Sequence, residues 1–121
     1  MNEYVAFTEA HVVEWFSQND LVVDDFKTAF CDGVLALELV DKINPGSVNW
    51  TKVMKPKNGK QLSVFQRLAN CTILCDIMQR LNPKYTGCGA KDFTDGNVKM
   101  MTGFFFSLRT LERRQRILGM R

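Results

Sequence analysis

Residues 63–82, SVFQRLANCTILCDIMQRLN, constrain this chain more than any other stretch. Val64, Leu68, Cys71, Cys75 and Met78 advance by four, three, four and three positions, with Phe65, Leu74 and Leu81 widening the stripe. Side chains three and four apart share a helix face, whereas a half-buried strand needs alternation by two. No window of the 121 residues alternates long enough to argue for a sheet. The spacing therefore predicts a long amphipathic helix opened by Ser63, and an all-α chain built by packing helices on it.

Three more main helices follow from the same reasoning. Thr8 before EAHVVEWFSQ is a side-chain cap, Glu9 suits the positive end of the helix, and Val12, Val13 and Phe16 share a face. Asn19 and Asp20 end that helix, and LVVDDFKTAF reads as a link. In CDGVLALELVDKINPG, Asp32 is a candidate cap and the helix is apolar around most of its circumference, which places it centrally. Asn44, Pro45 and Gly46 stop it. Residues 83–97 read as loop with one short turn. Asp95 or Asn97 then opens a last helix whose inner line is Val98, Met101, Phe105, Leu108 and Leu111, flanked by Phe104 and Phe106. The expectation is one domain over residues 1–121: a compact bundle of four main helices with long loops and short extra turns, a core over about 8–112 and a basic tail over 113–121.

An apolar fraction of 45% with 24% charged residues suits such a core. Cys31, Cys71, Cys75 and Cys88 follow no zinc spacing and read as reduced, mostly buried thiols, so no disulfide, metal or cofactor is expected. The N-terminus has acids where a secretory signal would have bases, and no apolar run is long enough to span a membrane. A soluble cytoplasmic protein is the expectation.

Enzyme chemistry finds little to work with. His11 is the single histidine and stands within an amphipathic helix, with no nucleophile or ligand spacing around it. GCGAKD departs from a phosphate-binding loop in interval, and Asp92 occupies the hydroxyl position. DFTDG lacks the alternating ligands and terminal glutamate of a calcium loop, so Asp92 and Asp95 read as caps. Phe104, Phe105 and Phe106 fan around a helix, which assigns most of them to the core rather than to a base-stacking platform.

Charge points instead to a binding surface. The net charge of +3 divides into −7 over residues 1–42 and +10 over residues 43–121. NWTKVMKPKNGKQ, residues 49–61, carries Lys52, Lys55, Lys57 and Lys60 with no acid, and between Ile43 and Cys75 there is no acid at all. Trp50, Val48 and Val53 are expected to pin this loop to the core, with Pro56 and Gly59 shaping its turn. Such a surface suits an acidic partner met by salt-sensitive attraction. No motif for specific nucleic-acid recognition appears, although the arginine-rich end would also suit an anionic lipid or nucleic-acid surface.

FCDGVLALELVDKINPGSVNW, with an Asp-Gly pair before an apolar helix, resembles the core helix and following turn of a calponin-homology domain. LANCTILCDIMQRL resembles the second core helix of that fold, and GCGAKDFTDGNVKMMTGFFFSL the segment where a Gly-Asn step begins the last helix. The VNWTKVMKP loop, the Asn-Cys pair and the Asp-Gly-Asn step are similar to those of the fimbrin (plastin) group. Together the motifs span about residues 10–112.

The resemblance implies a non-enzymatic, all-α cytoskeletal module, placed in the cytoplasm with the cytoskeleton, whose relatives bind actin filaments. Carried over, the filament contacts fall on Val12–Gln18, on Lys52, Lys55 and Lys57 with Lys60 beside them, and on Lys99 through Arg109. Fimbrins carry four such domains in two tandem pairs after calcium-binding modules, whereas one domain and no calcium loop are read here. A lone module offers a smaller interface and no gain in effective concentration, and bundling by a monomer, the expected state, lacks the second site it requires. The alternative expectation is a protein-interaction adaptor, bound to a signalling or scaffold protein, or a microtubule-associated single domain.

Overall fold

The computed structural model describes residues 7–118. Its helices are α1 (Glu9–Gln18), α2 (Phe26–Ala29), α3 (Val34–Ile43), α4 (Val64–Leu81), α5 (Ala90–Thr94) and α6 (Val98–Leu118), with one 3-10 turn at Trp50–Lys52. No named strand occurs among the described residues; Lys57 and Lys60 form an isolated antiparallel bridge. α1 lies against α6, α4 against α3 and α5, and α5 against α6.

Local chemistry sets the helix ends. The Thr8 amide and hydroxyl lie 3.0 and 2.8 Å from His11 Nδ1, which gives the lone histidine a capping role. Ser63 and Gln66 close a reciprocal box at the start of α4: the Gln66 amide donates to the Ser63 hydroxyl and the Ser63 amide to Gln66 Oε1. α3 stops at Ile43, before the Asn-Pro-Gly step. Ala36, Leu37, Leu39 and Val40 of α3 are all buried, the central placement expected of a helix apolar on most sides.

Two segments differ from the sequence expectation. The link over residues 21–30 contains α2, capped by Asp25, and buries Val23, Phe26 and Phe30. The loop over 83–97 contains α5 and buries Cys88 and Phe93. Four- and five-residue helices are too short to display a helical period, so neither shows as one. The buried phenylalanines interlock: Phe105 lies 4.9 Å from Phe30, 5.4 Å from Phe16 and 5.6 Å from Phe104, centroid to centroid. Phe106 turns to solvent while Phe104 and Phe105 enter the core, so two of the three consecutive rings pack inward.

The inner face of α4 is also rotated from the expected stripe. Asn70, Cys71, Leu74, Ile77 and Met78 are buried, whereas Val64 and Phe65 are exposed and Leu68 is on the margin. Spacing by threes and fours identifies a face but cannot say where along the helix its covering ends, and the first turn of α4 projects past its neighbours. At the other end of the chain, residues 113–118 of the basic tail are exposed helix, the end of α6, and residues 119–121 lie outside the described part.

Candidate interaction surface

The basic loop is fastened to α4 by a buried amide. The Met54 N–H donates to Asn70 Oδ1 (2.9 Å), and Asn70 Nδ2 donates to the carbonyls of Met54 (2.7 Å) and Asp32 (3.0 Å). Asn70 is fully buried, and an amide, which both donates and accepts, can satisfy a backbone N–H and two carbonyls at once. Gly33, at φ +78°, lies beneath it, where an added Cβ would come within 3.1 Å of the Asn70 Cβ. The Cys71 thiol points at the carbonyls of Phe30 and Cys31, at 4.0 and 3.7 Å. The Asp32-Gly33 step and the Asn70-Cys71 pair are thus the two sides of one joint.

From that joint the loop displays its lysines. Val48 is buried and Trp50 and Val53 are half-buried against the core, as the pinning expectation requires. Asn49 Oδ1 accepts from the Thr51 amide (3.2 Å) and shapes the 3-10 turn. The Lys55 ammonium stands 4.8 Å from the Trp50 ring centroid, a cation–π contact that orients it. Asn58 and Gly59 both take positive φ, 54° and 72°, and the Lys60 amide donates to the Lys57 carbonyl at 2.9 Å. This is the Asn-Gly turn that favours a tight hairpin, and it sets Lys57 directly opposite Lys60. Like charges facing across a pair destabilise it in isolation. An acidic group placed between them would reverse that cost.

Lys52, Lys55, Lys57 and Lys60 are all exposed, and none makes an ion pair within the described residues. The structure brings these four together on one loop. Lys99 and Arg109 form a second group on α6, separated from each other by about 15 Å at 1.5 Å per residue. Lys99 is exposed beside a shallow groove with Phe7, Thr102 and Phe106. Arg109 is braced internally: it pairs with Glu112 and lies 5.3 Å over the Trp15 ring. In α1, Val12, Trp15 and Phe16 are buried, so of Val12–Gln18 only Glu14, Ser17 and Gln18 are exposed and Val13 is half-buried.

The thiols behave as buried groups. Burial, with nearby Cys75 and Asp32 adding to it, pushes Cys71 up to about 12; burial, with Asp76 and Asp92, takes Cys75 to about 11. Cys88 is raised too, by burial first and then by Asp92, Cys75 and Cys71. Among the described residues no group of histidine, cysteine and acidic side chains could hold a metal ion, and no helix is long and apolar enough to cross a membrane.

Two residues are placed in ways that sequence reasoning did not foresee. Asn70 entered it as half of the Asn-Cys pair and as a polar side chain in phase with Leu74 and Ile77, without its link to the loop. Phe65 left no signal of its exposure, because its spacing fits the apolar stripe.

Comparison with known proteins agrees with this architecture. Fimbrin of Schizosaccharomyces pombe is 33% identical over 86 residues, 69% of this chain and 14% of that protein. A guanine exchange factor for Rac of Dictyostelium discoideum is 33% identical over 93 residues, 76% of this chain and 5% of that protein. The crystal structure of the actin-crosslinking core of S. pombe fimbrin superposes with a TM-score of 0.80 at 25% identity, covering 88% of this chain and 23% of that one. The chain thus spans a small fraction of the length of the relatives it matches. The family model of the calponin homology domain matches residues 3–114, and the chain belongs to that family.

Proposed function

We propose that this chain is a non-enzymatic cytoskeletal module that binds actin filaments through the basic face of residues 49–61, with Lys99 and Arg109 of α6 contributing, and that it acts as a monomer in the cytoplasm. The observation that carries this reading is the fastened loop itself. Asn70 holds its base, Trp50 orients Lys55, and the Asn58-Gly59 turn confronts Lys57 with Lys60. A solvated loop has no need to hold its lysines so close together, whereas an acidic partner surface gains from finding them already in place. The likeness to S. pombe fimbrin makes the filament the leading choice of partner.

The likeness to the Rac exchange factor favours a second reading, an adaptor that joins a signalling or scaffold protein; the acidic microtubule surface is a further candidate for the same basic face. Cosedimentation of the chain with actin filaments and, separately, with microtubules at low and raised salt tests both. Pelleting with actin that weakens as salt rises is the expected result. A chain that stays in the supernatant with actin at low salt would refute the filament reading, and pelleting with microtubules alone would favour the second.

A further inference from the structure

Eight large apolar side chains are exposed among the described residues, and four of them, Met54, Val64, Phe65 and Leu68, fall within fifteen positions around the start of α4. Phe65 is 81% exposed and Val64 61%. On the helix, Leu68 is the neighbour of both Val64 and Phe65, at spacings of four and three, so the exposed three form an outward apolar patch centred on Leu68. The capping box at Ser63 and Gln66 fixes the first turn that carries them. Gln66, next to Phe65, lines a basin together with Met54, Lys55, Lys57 and Lys60. Arg67 lines a separate small pocket with Asp32 and Pro56, and no acid occurs in the sequence from Asn44 to Leu74.

An exposed aromatic next in the chain to a lysine-lined basin has the makings of an interface hot spot: an apolar anchor that loses its water, beside charges that steer the approach. We infer that Phe65, supported by Val64 and Leu68, is the apolar anchor by which this domain seats itself on the acidic surface of its filament partner. The charge of the adjoining basin, which Lys55, Lys57 and Lys60 line with no acid among its residues, selects an acidic protein surface with an apolar recess as the occupant. This inference rests on the filament reading above and adds to it the residues that supply affinity once charge has steered the encounter.

The two contributions separate by their dependence on salt. Charge attraction is screened, and contact between apolar groups is not. Affinity for actin filaments is measured by cosedimentation across a salt series for the unaltered chain, Phe65→Ala, Phe65→Leu and Lys57→Glu, each checked for an unchanged melting temperature. Phe65→Ala is expected to weaken binding about tenfold or more at every salt concentration, as expected for a hot spot, with the salt slope unchanged. Phe65→Leu recovers part of that loss, and Lys57→Glu weakens binding most at low salt and flattens the slope. If the unaltered chain does not pellet with filaments, the filament reading fails and this inference with it. If the unaltered chain pellets and Phe65→Ala pellets equally well, the filament reading stands and the anchor is refuted. A loss for Phe65→Ala confined to low salt would likewise refute it, because the ring would then be acting only through the charges beside it.

Discussion

Asn70→Ala removes the amide that joins the basic loop to the rest of the fold. Three hydrogen bonds go: one from the Met54 N–H and two to the Met54 and Asp32 carbonyls. At about 1 kcal/mol net for each, the loss is about 3 kcal/mol, with the vacated space beside Gly33 adding to it. For a chain of this size about 1 kcal/mol moves the melting temperature by roughly 4 °C, so a drop of roughly 12 °C is expected. Asn70→Asp tests the polarity of the joint. Its carboxylate still accepts from the Met54 N–H but faces two carbonyl oxygens with no proton to give, and should cost at least as much as alanine. Urea unfolding followed by circular dichroism gives the free energies, and hydrogen exchange at the Met54 amide reports on the joint. A loss below about 1 kcal/mol, or unchanged protection at Met54, would refute the assignment of Asn70 as the fastening.

Trp50→Ala should cost about 1–2 kcal/mol in the same assay, less than a fully buried tryptophan, because its ring is half-buried and shared with Lys55; a loss above about 3 kcal/mol would show a ring more deeply held. Gly96→Ala should be far more damaging, since φ is +71° and the new Cβ would stand 2.6 Å from the Lys27 carbonyl oxygen; expression at normal yield with an unchanged melting temperature would contradict that contact. The raised thiols predict alkaline destabilisation. Above about pH 8.5 the unfolded chain releases thiol protons that folded Cys71, Cys75 and Cys88 retain, so the folded state binds more protons and stability falls as pH rises toward 11. The check is a urea midpoint that drops over that window and drops less when Cys71 is replaced by alanine, each compared with its own value at pH 7.

The long helices were legible because α3, α4 and α6 run for ten, 18 and 21 residues, enough for a period to emerge, and because Ser63 and the Asn-Pro-Gly step mark their ends. α2 was not legible, and α5 only as one short turn, since their order comes from Phe26 and Phe93 entering a core where both pack against Phe105 of α6. The loop lysines could be read from composition, but the confrontation of Lys57 with Lys60 needed the backbone of Asn58 and Gly59. Arg109 shows the limit of counting charges: Trp15, 94 positions earlier, and Glu112 hold a cation that the sequence presents as free. Phe65 shows the converse, an apolar residue in perfect helical phase that the fold leaves uncovered.

Replacement of Lys52, Lys55 and Lys57 together by glutamate tests the central claim most directly. All three side chains are exposed and none is ion-paired within the described residues, and the Lys55 contact on Trp50 is worth only about 0.5–1 kcal/mol, so the variant should melt within a few degrees of the unaltered chain. The account predicts that the unaltered chain pellets with actin filaments at low salt while the triple variant remains in the supernatant. Equal pelleting of the two, with equal melting temperatures, would contradict it.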